Sequence, residues 1–399
     1  MAKLIEITGK ALSGEWGIDD QTGEGIPVLR TTNFTNEGVV DYKNVVTRTI
    51  TKKNIEEKFL RKGDIIIEKS GGSDKFPVGR VIYFEGEDNT YLFNNFTGLL
   101  RVKNQEIWYP RYVFYSLFAN YRRGGTRMFE NKTTGIHNLK LAHYISQYEV
   151  NEIVKEEQIS VCDKLDKLYV IINEMKQQLR LLDDLIKARF VEMFGDLANP
   201  ECSWDKCKFV DACADKDDIK CGPFGTQLSK DEYTTSGIAV WEIPQINTAF
   251  LSEPTHFLTE EKAEQLNSYT IIPGDIAMSR KGNVGKCALF PNDYPDGIIH
   301  SDVLRIRVDR ERLNPAFMGC QLHFSGFVTR QIELVSSGAI MAGVNVTKLK
   351  QIYVHVPPMD LQNQFADFVR QVDKSKVAVQ KALDETQTLF DSLMQEYFG

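Results

Sequence analysis

Hydrophobic positions along the chain change rhythm in the same order twice. Up to Gln158, short apolar runs alternate with Gly- and Asn-bearing turns: Asp64 to Glu68, Val81 to Phe84 and Leu99 to Val102. Runs of this length bounded by turn residues predict strands. Tyr112 to Phe118 is a longer apolar stretch and predicts a helix. After Gln158 the rhythm becomes helical. Val161, Leu165, Leu168, Ile172, Met175, Leu179, Leu182 and Ile186 follow at spacings of four and three, with no Gly or Pro before Gly195. That is a heptad seam. The strand-like pattern returns at Ile276 to Met278 and Val303 to Ile306, with a helical stretch at Phe317 to Phe324. A second seam closes the chain: Phe365, Phe368, Val372, Ser375, Val379, Ala382, Thr386, Leu389 and Leu393. Its small residues admit a bulkier partner helix, and the first seam supplies one.

The two halves repeat in detail, and repeats are sought before motifs. Arg61-Lys62-Gly63-Asp64-Ile65-Ile66-Ile67 resembles Ile272-Pro273-Gly274-Asp275-Ile276-Ala277-Met278. Val78-Gly79-Arg80 matches Val284-Gly285-Lys286, Leu100-Arg101-Val102 matches Leu304-Arg305-Ile306, and Pro110 matches Pro315. Asn138-Leu139 falls near Asn345-Val346, and Glu157-Gln158 lines up with Asn363-Gln364. The common order of these short matches excludes coincidence.

The predicted organisation is globular domain, long helix, globular domain, long helix, each globular half α+β. Residues 195–205 form the hinge into the second half, and Pro357-Pro358 opens the last helix. A heptad helix of roughly 30 residues spans about 45 Å. Two of them paired antiparallel would hold the halves at a fixed distance in pseudo-twofold relation. The pairing residues expected are Leu165, Leu168, Ile172, Met175, Leu179 and Leu182 against Phe368, Val372, Val379, Leu389 and Leu393.

Composition adds bounds. With 42% hydrophobic and 26% charged residues in 399, the chain has enough apolar content for packed cores. No apolar run reaches the roughly 18–20 residues of a membrane span, and Met1 to Lys10 holds no secretory apolar region. The seven cysteines show no regular pattern, which predicts free thiols in a reducing, cytoplasmic setting. The net charge of −7 disfavours a polyanionic partner only on average. Arg101, Lys103, Arg111, Arg122, Arg123, Arg127, Lys132 and Lys140 crowd one stretch opposed only by Glu106 and Glu130. Local patches decide phosphate attraction.

Catalytic signatures are missing. Gly282-Asn283-Val284-Gly285-Lys286-Cys287 lacks the loop length and hydroxyl of a phosphate-binding loop, and no dinucleotide glycine fingerprint follows a strand. No Asn-Pro-Pro-aromatic or Asp-Pro-Pro-aromatic run marks an amino-methyltransferase pocket. His300, Ser301 and Asp302 are sequence neighbours, which rarely point at one another as a triad does. Cys202, Cys207, Cys213 and Cys221 are spaced too widely for a zinc site, and His137 and His143 read as strand or turn residues.

Nucleic-acid recognition needs side chains that reach base edges and cations or hydroxyls that hold phosphates. Candidate stretches are Arg30-Thr31-Thr32-Asn33; Lys69-Ser70-Gly71-Gly72 with Lys75; and Arg122, Arg123 and Arg127 leading to Asn131-Lys132-Thr133-Thr134. In the second half, Ser279-Arg280-Lys281-Gly282-Asn283 holds the position of the Lys69 loop, and Gln245 with Asn247 that of the Arg30 loop. Their glycines let backbone approach a polyanion.

This layout resembles the specificity subunit of a type I restriction–modification system, over essentially the whole chain. The resemblance rests on the duplication, on the Gly-Asp-Ile strand openings at Gly63 and Gly274, on the Gln-bearing helix entries with Pro357-Pro358, and on the helix endings Leu182-Asp183-Asp184-Leu185 and Phe390-Asp391-Ser392-Leu393. The first half has Tyr148-Glu149-Val150 where the second has its prolines, which leaves the start of the first helix open. The resemblance implies target recognition domains at 1–150 and 196–358 and helical spacers at 151–195 and 359–399. It implies a chain without catalysis, cofactor or metal of its own, each domain reading one part of a bipartite asymmetric site on double-stranded DNA. It further implies two modification subunits that carry S-adenosylmethionine and methylate adenine, and restriction subunits that use ATP and Mg. A stand-alone DNA methyltransferase or nuclease and a coiled-coil adaptor that touches only proteins are the alternatives.

Overall fold

The computed structural model describes residues 1–133, 136–199, 201–282, 284–337 and 343–399. It forms two compact units: Met1–Glu174 with Leu383–Gly399, and Met175–Ala382. Packing therefore does not follow the four consecutive segments expected from the pattern, because each cut falls inside a long helix. Four helices matter below: α1 (Pro110–Arg122), α2 (Lys155–Phe194), α3 (Pro315–Phe324) and α4 (Met359–Phe398).

In the first unit, Leu12–Ser13, Thr97–Leu100, Ile65–Glu68 and Val81–Tyr83 form an antiparallel sheet in that order. A second sheet orders Ile18–Asp19, Val46–Thr49, Ile26–Leu29 and Leu92–Phe93, the last pair parallel. Ile66, Ile82 and Leu99 of the first sheet bury against Leu29 and Phe93 of the second. The second unit repeats the plan. Ile219–Cys221, Val303–Ile306, Ile276–Ser279 and Cys287–Leu289 form the antiparallel sheet. His256–Leu258, Ile238–Trp241, Gly297–Ile299 and Thr270–Ile271 form the other, again with one parallel pair. Both α1 and α3 start with Pro at the first helical position, where a missing N–H costs nothing. The architecture is α+β with an internal repeat, as expected.

The register of the repeat differs from the sequence match by two residues in three places. Leu100 pairs with Ile65, and Ile306 pairs with Ile276. Arg101 therefore corresponds to Arg307, not Arg305. Each caps the buried carboxylate that opens the neighbouring strand, Arg101 to Asp64 at 2.6 Å and Arg307 to Asp275 at 2.7 Å. A slip of two leaves a strand's alternation unchanged, so the pattern cannot reveal it. Likewise Gln158 corresponds to Gln362, which is fully buried, and not to the exposed Gln364. The short helix that precedes each of these glutamines begins at Leu141 in one half and at Val346 in the other, so Lys140 matches Asn345.

Along the first seam Leu165 and Ile172 are buried, and Leu168, Met175, Leu179 and Leu182 half-buried. The second is displaced. Phe365, Val369, Val372, Leu383, Phe390, Met394 and Phe398 are the buried positions, with Val379 and Leu393 half-buried. Leu389 is 49% exposed and is not a pairing residue, and Phe368 is only half-buried. The displacement hides because Lys376 occupies a seam position. Its ammonium is held by Asp183 of α2 at 2.7 Å and Asp373 at 3.6 Å. Within the second unit α2 and α4 run in opposite directions: Asp183 meets Lys376, while Phe190 and Phe194 meet Phe365 with ring centroids 5.6 and 5.5 Å apart. Within the first unit, Lys164 of α2 reaches Tyr397 of α4 at 3.3 Å.

Candidate nucleic-acid interface

Each half places a short helical turn directly after a strand, and both turns are fixed the same way. Asn33 accepts a hydrogen bond from the Arg30 N–H at 2.9 Å and donates to the Asp41 carbonyl at 2.9 Å. Gln245 accepts from the Glu242 N–H at 3.2 Å and donates to the Glu253 carbonyl at 2.9 Å. Both amides are buried, so neither is free to read a base; these two expected contacts are corrected to positioning residues. A cation from the neighbouring sheet completes each turn. Arg80 donates to the carbonyls of Thr31 at 2.8 Å and Phe34 at 2.9 Å, and Lys286 donates to the Asn247 carbonyl at 3.0 Å. Arg80 and Lys286 are the matched cations of the repeated Val-Gly-cation triplet, and pattern alone assigns them no role. Thr32 and the side chain of Asn247 remain exposed, Thr31 is half-buried, and Arg30 donates to the Asn44 carbonyl at 3.1 Å.

The Lys69 stretch is partly a strand rather than a loop. Ser70–Gly72 pairs with Ile136–Leu139, and Gly72 is buried. Lys69 leans on the Ser13 hydroxyl at 3.1 Å; burial, and then Lys58, pull its ammonium below the usual value. Gly71 and Lys75 stay exposed, with Lys75 5.3 Å from the Phe76 ring centroid. In the second half Ser279 is fully buried and cannot touch DNA. Arg280, which the register equates with Lys69, donates to the Val344 and Ser301 carbonyls at 3.5 Å each. Lys281 pairs with Asp302 at 2.8 Å yet keeps 39% of its side chain exposed. Asn283 and Thr134 lie outside the described residues.

The Arg122 cluster is divided. Arg122 pairs with Asp391 of α4 at 2.8 Å, and Arg123 donates to the Phe398 carbonyl. Both hold the end of α4, which corrects their expected role. Arg127 is exposed and donates to the Asp74 carbonyl at 3.2 Å, tying the Lys75 turn to the hairpin formed by Glu130–Thr133 and Ile136–Leu139. Asn131 is exposed on that hairpin, and the backbones of Lys132 and Thr133 are in its first strand. His137, beneath it, is held by Glu130 at 2.8 Å.

The residues brought together are therefore Lys69, Gly71, Lys75, Arg127 and Asn131 in the first unit, and Arg280 and Lys281 in the second. They offer cations and amides on backbone-anchored turns, the chemistry that holds phosphates and base edges. No triad forms at His300: its Nδ1 accepts the Asp302 N–H at 3.2 Å, and Ser301 contributes its carbonyl. Cys202, Cys207, Cys213 and Cys221 are free thiols, and burial pushes Cys213 up to about 12. Among the described residues no helix is long and apolar enough to cross a membrane.

Comparison with known proteins bears on the fold and the family likeness. The sequence model of the type I restriction modification DNA specificity domain matches residues 224–386. The type I restriction enzyme MjaX specificity subunit of Methanocaldococcus jannaschii is 22% identical over 148 residues, 36% of this chain and 34% of the relative, so the match spans about a third of that protein. The crystal structure of a type I restriction–modification S subunit from M. genitalium aligns over 100% of this chain and 95% of its own, with a TM-score of 0.59 and 15% identity. A structure from a study of complex assembly and conformational transition of the type I system aligns over 100% and 96%, with a TM-score of 0.50 and 14% identity. The family domain matches residues 224–386 of the second half, the internal repeat carries the same plan into the first, and the chain is in these respects similar to the specificity subunits of type I restriction–modification systems.

Proposed function

We propose that this chain is the non-catalytic DNA-reading subunit of a type I complex. Each half reads one part of a bipartite asymmetric site on double-stranded DNA. The paired helices set the gap and dock two modification subunits, which bind S-adenosylmethionine and methylate adenine. Restriction subunits that use ATP and Mg complete the assembly, in the cytoplasm. One observation carries the reading: the same fold occurs twice, and at the same place after the Ile65–Glu68 and Ile276–Ser279 strands each copy presents a basic segment of different sequence. One fold with two unlike readers suits a site with two unlike halves.

Co-expression with a candidate modification subunit, followed by methylation mapping across a genome, tests this. The expected result is a split motif with a constant gap. A continuous motif, or methylation that ignores this chain, overturns the proposal. An adaptor touching only proteins would leave the assembled complex without the steep salt dependence that phosphate contacts give. A stand-alone enzyme would transfer methyl groups or cut DNA unassisted.

A further inference from the structure

A second repeated element lies beside the basic segments, and it rests on the reading above. Gly14-Glu15-Trp16-Gly17 and Gly222-Pro223-Phe224-Gly225 share the form Gly-x-aromatic-Gly. Each follows the edge strand of the antiparallel sheet, Leu12–Ser13 or Ile219–Cys221. Each is seated on the end of the equivalent strand of the other sheet. A Cβ at Gly14 would stand 2.2 Å from the carbonyl oxygens of Phe93 and Asn94; one at Gly222 would stand 2.2 Å from that of His300 and 2.5 Å from that of Ile299. No real side chain tolerates such contacts, so both turns are pressed onto the sheet at a glycine. The aromatic that follows meets an arginine in both cases. The Arg48 guanidinium lies 4.2 Å from the Trp16 ring centroid, and that of Arg280 lies 5.3 Å from Phe224.

The second copy is the more open. Phe224 is 51% exposed, and a Cβ at Gly225 would meet nothing within 4 Å. Its arginine belongs to the basic segment itself, next to Lys281. Gln227 accepts the Phe224 N–H at 3.3 Å and the Tyr269 hydroxyl at 2.9 Å, holding the turn open. An exposed ring on a rigid turn, flanked by cations, fits an apolar wedge against a base step with the cations on adjoining phosphates.

We infer that the Gly222–Gly225 turn is a DNA-contacting element of the second half, with Phe224 as its apolar contact. The Gly14–Gly17 turn holds the corresponding place in the first half, where Arg48 covers Trp16.

The test uses the full chain assembled with its modification subunits, and a short duplex carrying the sequence that methylation mapping assigns. Phe224→Ala is expected to weaken binding about tenfold, within the range of aromatic–base contacts. It should leave the salt slope unchanged, and Phe224→Tyr should restore most of the affinity. Lys281→Ala should instead reduce the slope by about one. Wild-type affinity in Phe224→Ala overturns the inference, as does a loss that tracks a lowered melting midpoint and is not restored by Tyr. Wild-type complex that binds all duplexes alike removes the reading itself, and the inference with it.

Discussion

Gln158 and Gln362 do the same work in the two repeats. Gln158 accepts the Tyr109 N–H at 2.8 Å and donates to the carbonyls of Ile107 at 3.0 Å and Ile153 at 2.9 Å. Gln362 accepts the Asn314 N–H at 2.8 Å and donates to Arg312 at 3.1 Å and Pro357 at 2.7 Å. Each fully buried amide fastens the start of a long helix to the segment before α1 or α3. Substituting either by Ala strands buried backbone groups, at about 1–3 kcal/mol for each group left unpaired. Urea denaturation of Gln158→Ala and Gln362→Ala should show lowered midpoints; unchanged midpoints would refute the role.

The displaced seam makes a second prediction. Leu383 is 9% exposed and Leu389 49% exposed, although the pattern alone favours Leu389. Leu383→Ala should cost about 2–5 kcal/mol, and Leu389→Ala within about 0.5 kcal/mol of nothing. Thermal melts of the two variants compare them directly, and an equal loss would restore the sequence-based register.

Asp64 and Asp275 are almost wholly buried and each is gripped by an arginine. Each also accepts the N–H three residues earlier, Arg61 at 2.8 Å and Ile272 at 3.0 Å. Asp275→Ala leaves the guanidinium and that N–H without their partner, at about 3 kcal/mol. Exchanging Arg307 for Ala should cost a similar amount, and the double variant less than the sum. A double-mutant cycle measures the coupling; additive losses would exclude it.

His355 gives a pH dependence. Its ring is buried against Phe327, with centroids 4.9 Å apart, and its side-chain nitrogens have no hydrogen-bond partner among the described residues. Burial, and then Lys206, lower it to about 4. The unfolded chain therefore takes up the proton first as pH falls. Stability is unaffected above roughly pH 6.5 and declines from there toward pH 4. His355→Leu should flatten the melting midpoint over that window; an unchanged slope would remove His355 as a cause.

Salt titration separates positioning from contact. Asn33→Ala and Gln245→Ala should lower the melting midpoint and disturb reading of one half-site each, with the salt slope kept. Lys75→Ala or Arg127→Ala should reduce the slope by about one. A slope change in the amide variants would return those residues to the contact set.

The duplication, the α+β halves and both helices were legible because alternation and heptads are properties of the sequence itself. The register was not. A two-residue slip preserves strand parity, and it takes the strand pairing and the Arg307–Asp275 ion pair to distinguish Arg307 from Arg305. Lys376 concealed the second seam because a lysine reads as surface until Asp183 is found beside it. Which candidate side chains are free to make contacts was not legible. Composition pointed to Asn33, Gln245, Ser279, Arg122 and Arg123, but nothing local says that a polar group's partners are backbone groups of its own turn or the end of a helix far away in sequence. The equivalence of Arg80 and Lys286 was visible as a repeated Val-Gly-cation triplet, and their roles awaited the geometry.

The first compact unit takes its last element from Leu383–Gly399, and there the Phe398 ring packs tilted against Tyr112 and stacks on Tyr115, with centroids 5.1 and 6.5 Å away. On the ribosome, the amino-terminal half must therefore wait, incomplete, until the final turns of α4 emerge.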